Sequence, residues 1–520
     1  MQQGDDGFFR TSVDLADGAY QYKFRVQSKS WFFEPDQPVD VNDPYATDID
    51  NASQNGVIRI KDGKQIVDTY TWKHDDKPLP ADNALVIYEM HVGDFSGGED
   101  DRYVRGKYKH VVEKLDYLVD LGINAIELMP VKEYPGDHSW GYNPRYFFAS
   151  ESSYGTTEEL KNLIDECHGK GIRVIMDGIY NHSEAESPLT QIDHDYWYHH
   201  SPRDPGNNWG PEFNYEFYDE KFDTYPARRF AGDVVCFWIQ EYHIDGIRYD
   251  AARQIANYDF MGWIVQEAKQ AAGDKPFYNV AEFIPDNPSI TNLDGPMDGC
   301  WHDSFYHCVV PMLCGEKFDL EQIKEALDAK RQGYLGTTNV VNYLTNHDQN
   351  HLMADLGDRG ILDEAAFKRV KLGVALVMTA MGIPLIWMGE EFGEYKYKTI
   401  SQAKIEWSLL KNELNQGLFK YYKGLIALRE QNHALYTENI EFFHENPEDK
   451  VFAYTRWNNE GSRVVVVVNF SENFLAGYTI PNFPKNGTWH EWTANYDIEA
   501  GDNSLMTDLG EFEAKVFVWR

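Results

Sequence analysis

Asp245-Gly246-Ile247-Arg248-Tyr249-Asp250-Ala251-Ala252-Arg253 is the stretch on which the fold turns. Gly246 to Tyr249 reads as a short, tightly packed strand that ends on an arginine and an aspartate. Side chains two apart on a strand point to one side, so Arg248 and Asp250 belong together. A guanidinium beside a carboxylate favours the charged acid, and Asp250 is therefore expected to stay ionised at neutral pH. An oriented, ionised aspartate is suited to covalent attack on a sugar carbon. Standing alone, the same residues would equally make a structural ion pair.

Working outward, strands alternate with amphipathic helices from Ala84 onward. Candidate strands are 85–92, 125–128, 172–177, 246–249, 277–281, 299–301, 340–344 and 385–387. Helical periodicity fills stretches such as 108–121, 156–170, 227–243, 259–272, 319–330 and 364–379. Eight such units predict a (β/α)8 TIM barrel, an α/β fold with its working groups at the carboxyl ends of the strands. The segment of about 183–226, after the third strand, is too long for a plain loop. It is rich in His, Trp, Pro and Asn and reads as a short inserted loop domain on the functional face.

Residues 1–80 read as an N-terminal β-sandwich-like module. Gly18 to Val26 alternates aromatic and polar residues as one half-buried strand, and Pro35 to Pro44 reads as a turn segment. The region is short of strands for a sandwich, so the chain is expected to begin inside that module. The barrel is assigned to 81–435. From about Tyr436 strands alone remain, predicting a C-terminal antiparallel β-domain over 436–520.

Composition narrows the partners. With 48 basic and 84 acidic residues the net charge is −36, which repels nucleic acid and anionic membranes. A neutral carbohydrate fits such a surface, and 33 Tyr and 14 Trp offer faces for stacking on sugar rings. The acidic runs Asp5-Asp6 and Glu99-Asp100-Asp101 read as solvated surface. Cys167, Cys236, Cys300, Cys308 and Cys314 are odd in number and form no CxxC, so neither a disulfide framework nor a zinc site is expected. A reducing, cytoplasmic setting follows, and no signal peptide is visible at the N-terminus. The apolar run Leu372 to Met388 holds Gly373, Gly382 and Pro384 and reads as a buried helix, then a buried strand.

Four predicted strands deliver polar clusters to one rim. The third ends Val174-Ile175-Met176-Asp177-Gly178-Ile179-Tyr180-Asn181-His182, and the fourth carries Arg248 and Asp250. The fifth ends Asn279-Val280-Ala281-Glu282, and the seventh Asn342-Tyr343-Leu344-Thr345-Asn346-His347-Asp348-Gln349. In this order and spacing they resemble the four sequence regions of the α-amylase superfamily, glycoside hydrolase family 13, over roughly residues 84–435. The N-terminal piece resembles the later strands of the glycogen-binding-type β-module that precedes the barrel in branching enzymes, isoamylases and trehalohydrolases.

The resemblance implies a retaining double displacement. It makes Asp250 the nucleophile, Glu282 the acid and then base, and Asp348 the third carboxylate on the sugar hydroxyls. Arg248 would aim Asp250, with Asp177 supporting Arg248. His182 and His347 would bond the sugar at the cleavage point, and Tyr142, in Trp140-Gly141-Tyr142-Asn143-Pro144, would stack on it. Arg253 stands where many amylases carry a Lys, and Gln254 where they carry a His, which leaves the acceptor side open. Trp209 and Trp387 are weaker candidates. Asn181 matches a calcium-ligating position, but the other ligands come from a larger insertion. No cofactor is therefore expected to be required, and calcium is not expected to be essential.

The implied function is hydrolysis of α-1,4-glucosidic bonds in starch, glycogen or maltooligosaccharides. Alternatives are a branching-type glucanotransferase, maltooligosyltrehalose trehalohydrolase, a debranching activity on α-1,6 links, or a non-catalytic glycan-binding protein. Branching enzymes usually follow their acid with Ser and end the last region His-Asp-Glu, whereas here Phe283 and Gln349 stand there. The His-Asp-Gln ending and Ala125-Ile126-Glu127-Leu128-Met129-Pro130 resemble the trehalohydrolase instead. Non-catalytic relatives typically lose one of the three carboxylates, and all three are present.

Overall fold

A methyl group at position 246 would lie 2.6 Å from the Tyr278 carbonyl oxygen, so only glycine lets these two neighbouring strands approach so closely. That contact belongs to a closed parallel barrel of eight strands. They are β1 (Ile87–Met90), β2 (Ala125–Leu128), β3 (Arg173–Gly178), β4 (Gly246–Tyr249), β5 (Tyr278–Ala281), β6 (Gly299–Trp301), β7 (Val340–Asn342) and β8 (Ile383–Trp387). Each pairs with the next, and β8 returns to β1 through Leu385 opposite Ile87 and Trp387 opposite Glu89. The register sets Asp177 beside Arg248, so the polar ends of β3 and β4 arrive level. The computed structural model describes residues 1–4, 7–35, 37–66, 70–98, 104–136 and 138–519. The acidic runs at Asp5-Asp6 and Glu99-Asp100-Asp101 lie outside the described residues.

Ile87, Ile175, Val280, Val341 and Leu385 fill the barrel with Tyr278 and Trp301, so the interior is a packed core. Outside it lie α1 (Tyr108–Leu121), α2 (Thr157–Gly169), α3 (Pro226–Tyr242), α4 (Tyr258–Ala272), α5 (Asp303–Leu313), α6 (Leu320–Leu327), α7 (Asp363–Thr379) and α8 (Glu413–Gln431). In α1 the buried residues Val111, Leu115, Leu118 and Leu121 recur every three or four positions, which makes one apolar stripe. Each such leucine contributes about 1.5–3 kcal/mol by leaving water. Thr156 caps α2 with Glu159 bonding back to the Thr156 N–H, which fixes where that helix starts.

The run from Leu372 to Met388 divides as its glycines and proline suggest: α7 stops at Thr379 and β8 starts at Ile383. Among the described residues no helix is long and apolar enough to cross a membrane. Between β3 and α3 the insertion holds a helix, Pro188–Trp197, kinked at Asp193. After α8 come six strands in one antiparallel sheet, with Leu475–Pro481 and Ser504–Leu509 paired beside it.

The N-terminal region departs from the sequence reading in two ways. The expected single strand is two, Gly18–Tyr22 and Phe24–Gln27, which pair with Gly56–Lys61 and Pro38–Val41 respectively. Alternation of half-buried and exposed side chains runs straight through Lys23, so the pattern hides the change of partner. Pro38–Val41 is itself a strand inside the segment read as a turn. Its proline stands first, where a missing N–H costs the ladder least. The five cysteines are all free.

Candidate active site

Arg248 is completely buried at the end of β4, and three carboxylates surround its guanidinium. Nη1 donates to both oxygens of Asp177, at 2.8 and 2.9 Å, and to Asp250 Oδ1 at 3.1 Å. Nη2 lies 3.0 Å from Glu282 Oε2, an ionic contact off the line of a hydrogen bond. The flat of the guanidinium rests on Trp301, 4.1 Å from the ring centre, and more loosely on Tyr142 at 5.8 Å. One cation thus ties together the ends of β3, β4 and β5.

The backbone adds a second tie. Ala251, directly after Asp250, adopts a left-handed conformation (φ 48°, ψ 38°) that costs an alanine free energy. In that pose its N–H donates to Glu282 Oε2 at 2.9 Å, and the Ala252 N–H donates to the Glu282 carbonyl at 3.0 Å.

Charge crowding corrects one expectation. Burial pushes the Asp250 carboxyl well above the ordinary carboxylate range, the Glu282 charge pushes it further, and Arg248 pulls back without winning. The arginine does not hold Asp250 ionised, because burial first, and then the neighbouring Glu282 and Asp177 charges, outweigh it. Asp250 therefore keeps its proton over a wider pH range than a free aspartate would.

Across the mouth, His347 and Asp348 follow β7. Burial lowers the His347 imidazole, but the Glu89 charge and hydrogen bond outweigh it and hold it above its usual range. Glu89 Oε1 lies 2.6 Å from His347 Nδ1, and Glu89 Oε2 accepts the His347 N–H at 3.2 Å. His347 Nε2 stands 3.6 Å from Asp348 Oδ2, and the Lys398 ammonium donates to Asp348 Oδ1 at 2.7 Å. Burial raises Asp348, yet these two cations outweigh it and keep the acid below its usual range.

Tyr142 bridges the two halves: its hydroxyl donates to Asp177 Oδ2 at 2.5 Å, and its ring stacks on His347 at 5.1 Å. His182 does not reach into this group. Its Nε2 donates to the Tyr142 carbonyl at 2.8 Å, and burial lowers its pKa to about 4, leaving a neutral ring that anchors the loop bearing Tyr142. Arg253 is exposed on the rim with Nη1 donating to the Ile284 carbonyl at 2.9 Å, apart from the Arg248 cluster. Trp209 is exposed with its ring 5.9 Å from that of His182, while Trp387 is buried 6.3 Å from the ring of His347. Glu89, Trp301 and Lys398 touch the same groups but were not singled out by sequence. Glu89 is an acid inside an otherwise apolar strand, Tyr88-Glu89-Met90, which was the one signal available.

Asn181 Oδ1 is buried without a hydrogen-bond partner. Calcium takes six to eight oxygens, usually several from carboxylates. Among the described residues no three His, Cys, Asp or Glu side chains gather to hold a metal ion. One amide oxygen does not make such a cage.

The family profile described as "Alpha amylase, catalytic domain" matches residues 87–298 and 312–416, more than half of the chain. The chain belongs to the α-amylase family. The profile "Alpha amylase, C-terminal all-beta domain" matches residues 443–515. Among family relatives, the malto-oligosyltrehalose trehalohydrolase of Saccharolobus solfataricus is 26% identical over 514 residues, covering 85% of this chain and 84% of that protein. The 1,4-alpha-glucan branching enzyme GlgB of Salinibacter ruber is 26% identical over 548 residues, covering 97% and 84%. The type I pullulanase of Bacillus subtilis str. 168, solved with maltose, shares the fold with a TM-score of 0.79 at 20% identity, over 93% of this chain and 76% of that one.

Proposed function

We propose that this α-amylase-family chain is a retaining glycoside hydrolase that cleaves α-1,4-glucosidic bonds in starch, glycogen or maltooligosaccharides. The observation that carries this reading is the grip of one guanidinium on both Asp250 and Glu282, at the ends of adjacent strands. A retaining pair needs its carboxyls only about 5–5.5 Å apart, and contacts to the two nitrogens of one small cation favour such a spacing.

In the first half-reaction Asp250 attacks the anomeric carbon as the bond to the leaving oxygen breaks, and Glu282 gives its proton to that oxygen. In the second, Glu282 takes a proton from water, the water oxygen attacks the same carbon, and Asp250 leaves as carboxylate. For attack, the site's proton has to sit on Glu282 rather than Asp250. Both acids contact Arg248, at 3.1 and 3.0 Å, which keeps them in one cluster. Asp348, kept ionised by His347 and Lys398, accepts from ring hydroxyls, while Tyr142 and His347 form the wall behind the sugar. His182 acts by fixing the Tyr142 loop, and Arg253 borders the acceptor side.

The likeness to the trehalohydrolase and to GlgB keeps their reactions as named outcomes of the test. Pure protein is mixed with amylose, branched glucan, maltooligosaccharides and maltooligosyltrehalose, and products are resolved by length and linkage. Short linear maltooligosaccharides support the reading. Free trehalose would replace it with the trehalohydrolase, new α-1,6 links with a transferase, debranched chains with a pullulanase-type activity, and no product with a glycan-binding protein. Activity is expected to survive EDTA; a calcium-reversible loss would assign Asn181 to a metal. Five unpaired thiols favour a reducing, cytoplasmic setting, and a charge of −36 disfavours nucleic acid and anionic membranes.

A further inference from the structure

The segment 393–404, which follows β8, lies as a strap along the rim of the barrel between the loops that follow β7 and β1, and is pinned on both flanks. The His351 N–H donates to the Lys396 carbonyl at 3.0 Å, the Lys398 N–H to Asn350 Oδ1 at 2.9 Å, and the Tyr397 hydroxyl to Asp358 Oδ1 at 2.5 Å. Beyond it the Ile405 N–H donates to the Asp94 carbonyl at 3.0 Å. Lys398 is thus a lysine set in place by its own backbone. Its ammonium stands between Asp348 Oδ1, at 2.7 Å, and the face of Trp140, 5.7 Å from the ring centre. Behind it a cavity of about 30 Å³ is bounded by His91, Trp140, His347, His351, Trp387 and Lys398. A single water needs about 10–15 Å³ on this measure, so the space takes a water or two and no sugar ring.

The direction of this closure follows from the chemistry. The leaving group departs on the side of the acid, Glu282, at the end of β5. The strap rises from β8, three strands further round an eight-stranded ring, and grips Asp348. It therefore closes the side that keeps the glycosyl unit, the donor side.

We propose that Lys398 limits the length of the glycosyl unit held on the donor side, and so sets which bond of a chain is cut. This rests on the α-glucan reading above and deepens it. A partly exposed ion pair adds little to stability, so replacing Lys398 should isolate this effect from folding.

The test compares wild type, Lys398→Ala and Lys398→Arg on a ladder of maltooligosaccharides labelled at the reducing end, with melting temperatures measured alongside. Wild type is expected to release short units from the unlabelled end. Lys398→Ala should retain longer units, and its kcat/KM on the longest rungs should rise roughly tenfold relative to the shortest. Lys398→Arg, which keeps charge and reach, should keep the wild-type pattern. Because Lys398 also helps keep Asp348 ionised, Lys398→Ala lowers kcat on every rung alike, so product length is read as a ratio between rungs. An unchanged ratio, or a Lys398→Ala too slow to give one while Lys398→Arg turns over, overturns the role of Lys398 alone. A wild type without turnover on every rung overturns this proposal together with its parent.

Discussion

Two of the groups of acids in this barrel are neutralised in opposite ways. At the mouth, Asp177, Asp250 and Glu282 crowd one guanidinium. Beyond β8, Glu390 and Glu391 are buried more deeply and meet hydroxyls and backbone amides in place of a cation. Thr345 and Tyr422 donate to Glu390, and Tyr88 and Tyr117 donate to Glu391 at 3.0 and 2.6 Å. Burial pushes both of these up to about 7, and the hydroxyls recover only part of the loss. Hydroxyls and amides soften desolvation in the second group, whereas at the mouth a guanidinium opposes it. Burial alone is not what makes an acid a reagent.

The sharpest way to break the contrast is to remove one reagent. Asp250→Asn or Glu282→Gln should lower kcat by about 10⁴-fold while the melting temperature holds or rises, since each removes a chemical role and relieves charge crowding. Near-wild-type turnover in either variant would sink the mechanism. Next in size is the cation. Arg248→Met leaves three buried carboxylates without their partner and should cost about 3–5 kcal/mol in denaturant unfolding. Unchanged stability would mean that the acids had been neutral throughout.

The second group predicts a pH effect whose sign can be worked out. Glu390 and Glu391 keep their protons up to about pH 7 when folded, against an ordinary value of 4.5. The folded chain therefore binds more protons between those limits. Their contribution is fully present below pH 4.5 and is lost as pH rises to about 7, roughly 3 kcal/mol for each group. Glu390→Gln should flatten that slope, and an equally steep slope in the variant would move its origin elsewhere. The smallest effect expected is at Ala251. Ala251→Gly removes the left-handed penalty and should change stability by no more than about 1 kcal/mol in the favourable direction, as read by thermal unfolding.

The barrel was legible because buried parallel strands appear as apolar runs between helices, and even the three-residue Gly299–Trp301 could be found. Ends shifted where side chains, not pattern, stop a strand: 340–344 ends at Asn342. The helices Pro188–Trp197 and Asp303–Leu313 did not stand out, one hidden among His and Asp with a kink at Asp193, the other holding Pro311. Asp250 and Glu282 could be read from strand ends. The protonation of Asp250 could not, because it depends on an acid 32 residues away and on depth. Lys398 was invisible for a similar reason: its segment carries no periodicity, and only the folded strap brings it to Asp348.

Because the amide after one acid is the ligand of the other, main chain joins the side-chain torsions in setting the interval between Asp250 and Glu282. With Asp250 and Glu282 as the proposed bond-breaking pair, substitutions along the outer rim can therefore vary what the enzyme grasps while that interval is held. A peptide unit here acts as the molecule's gauge block.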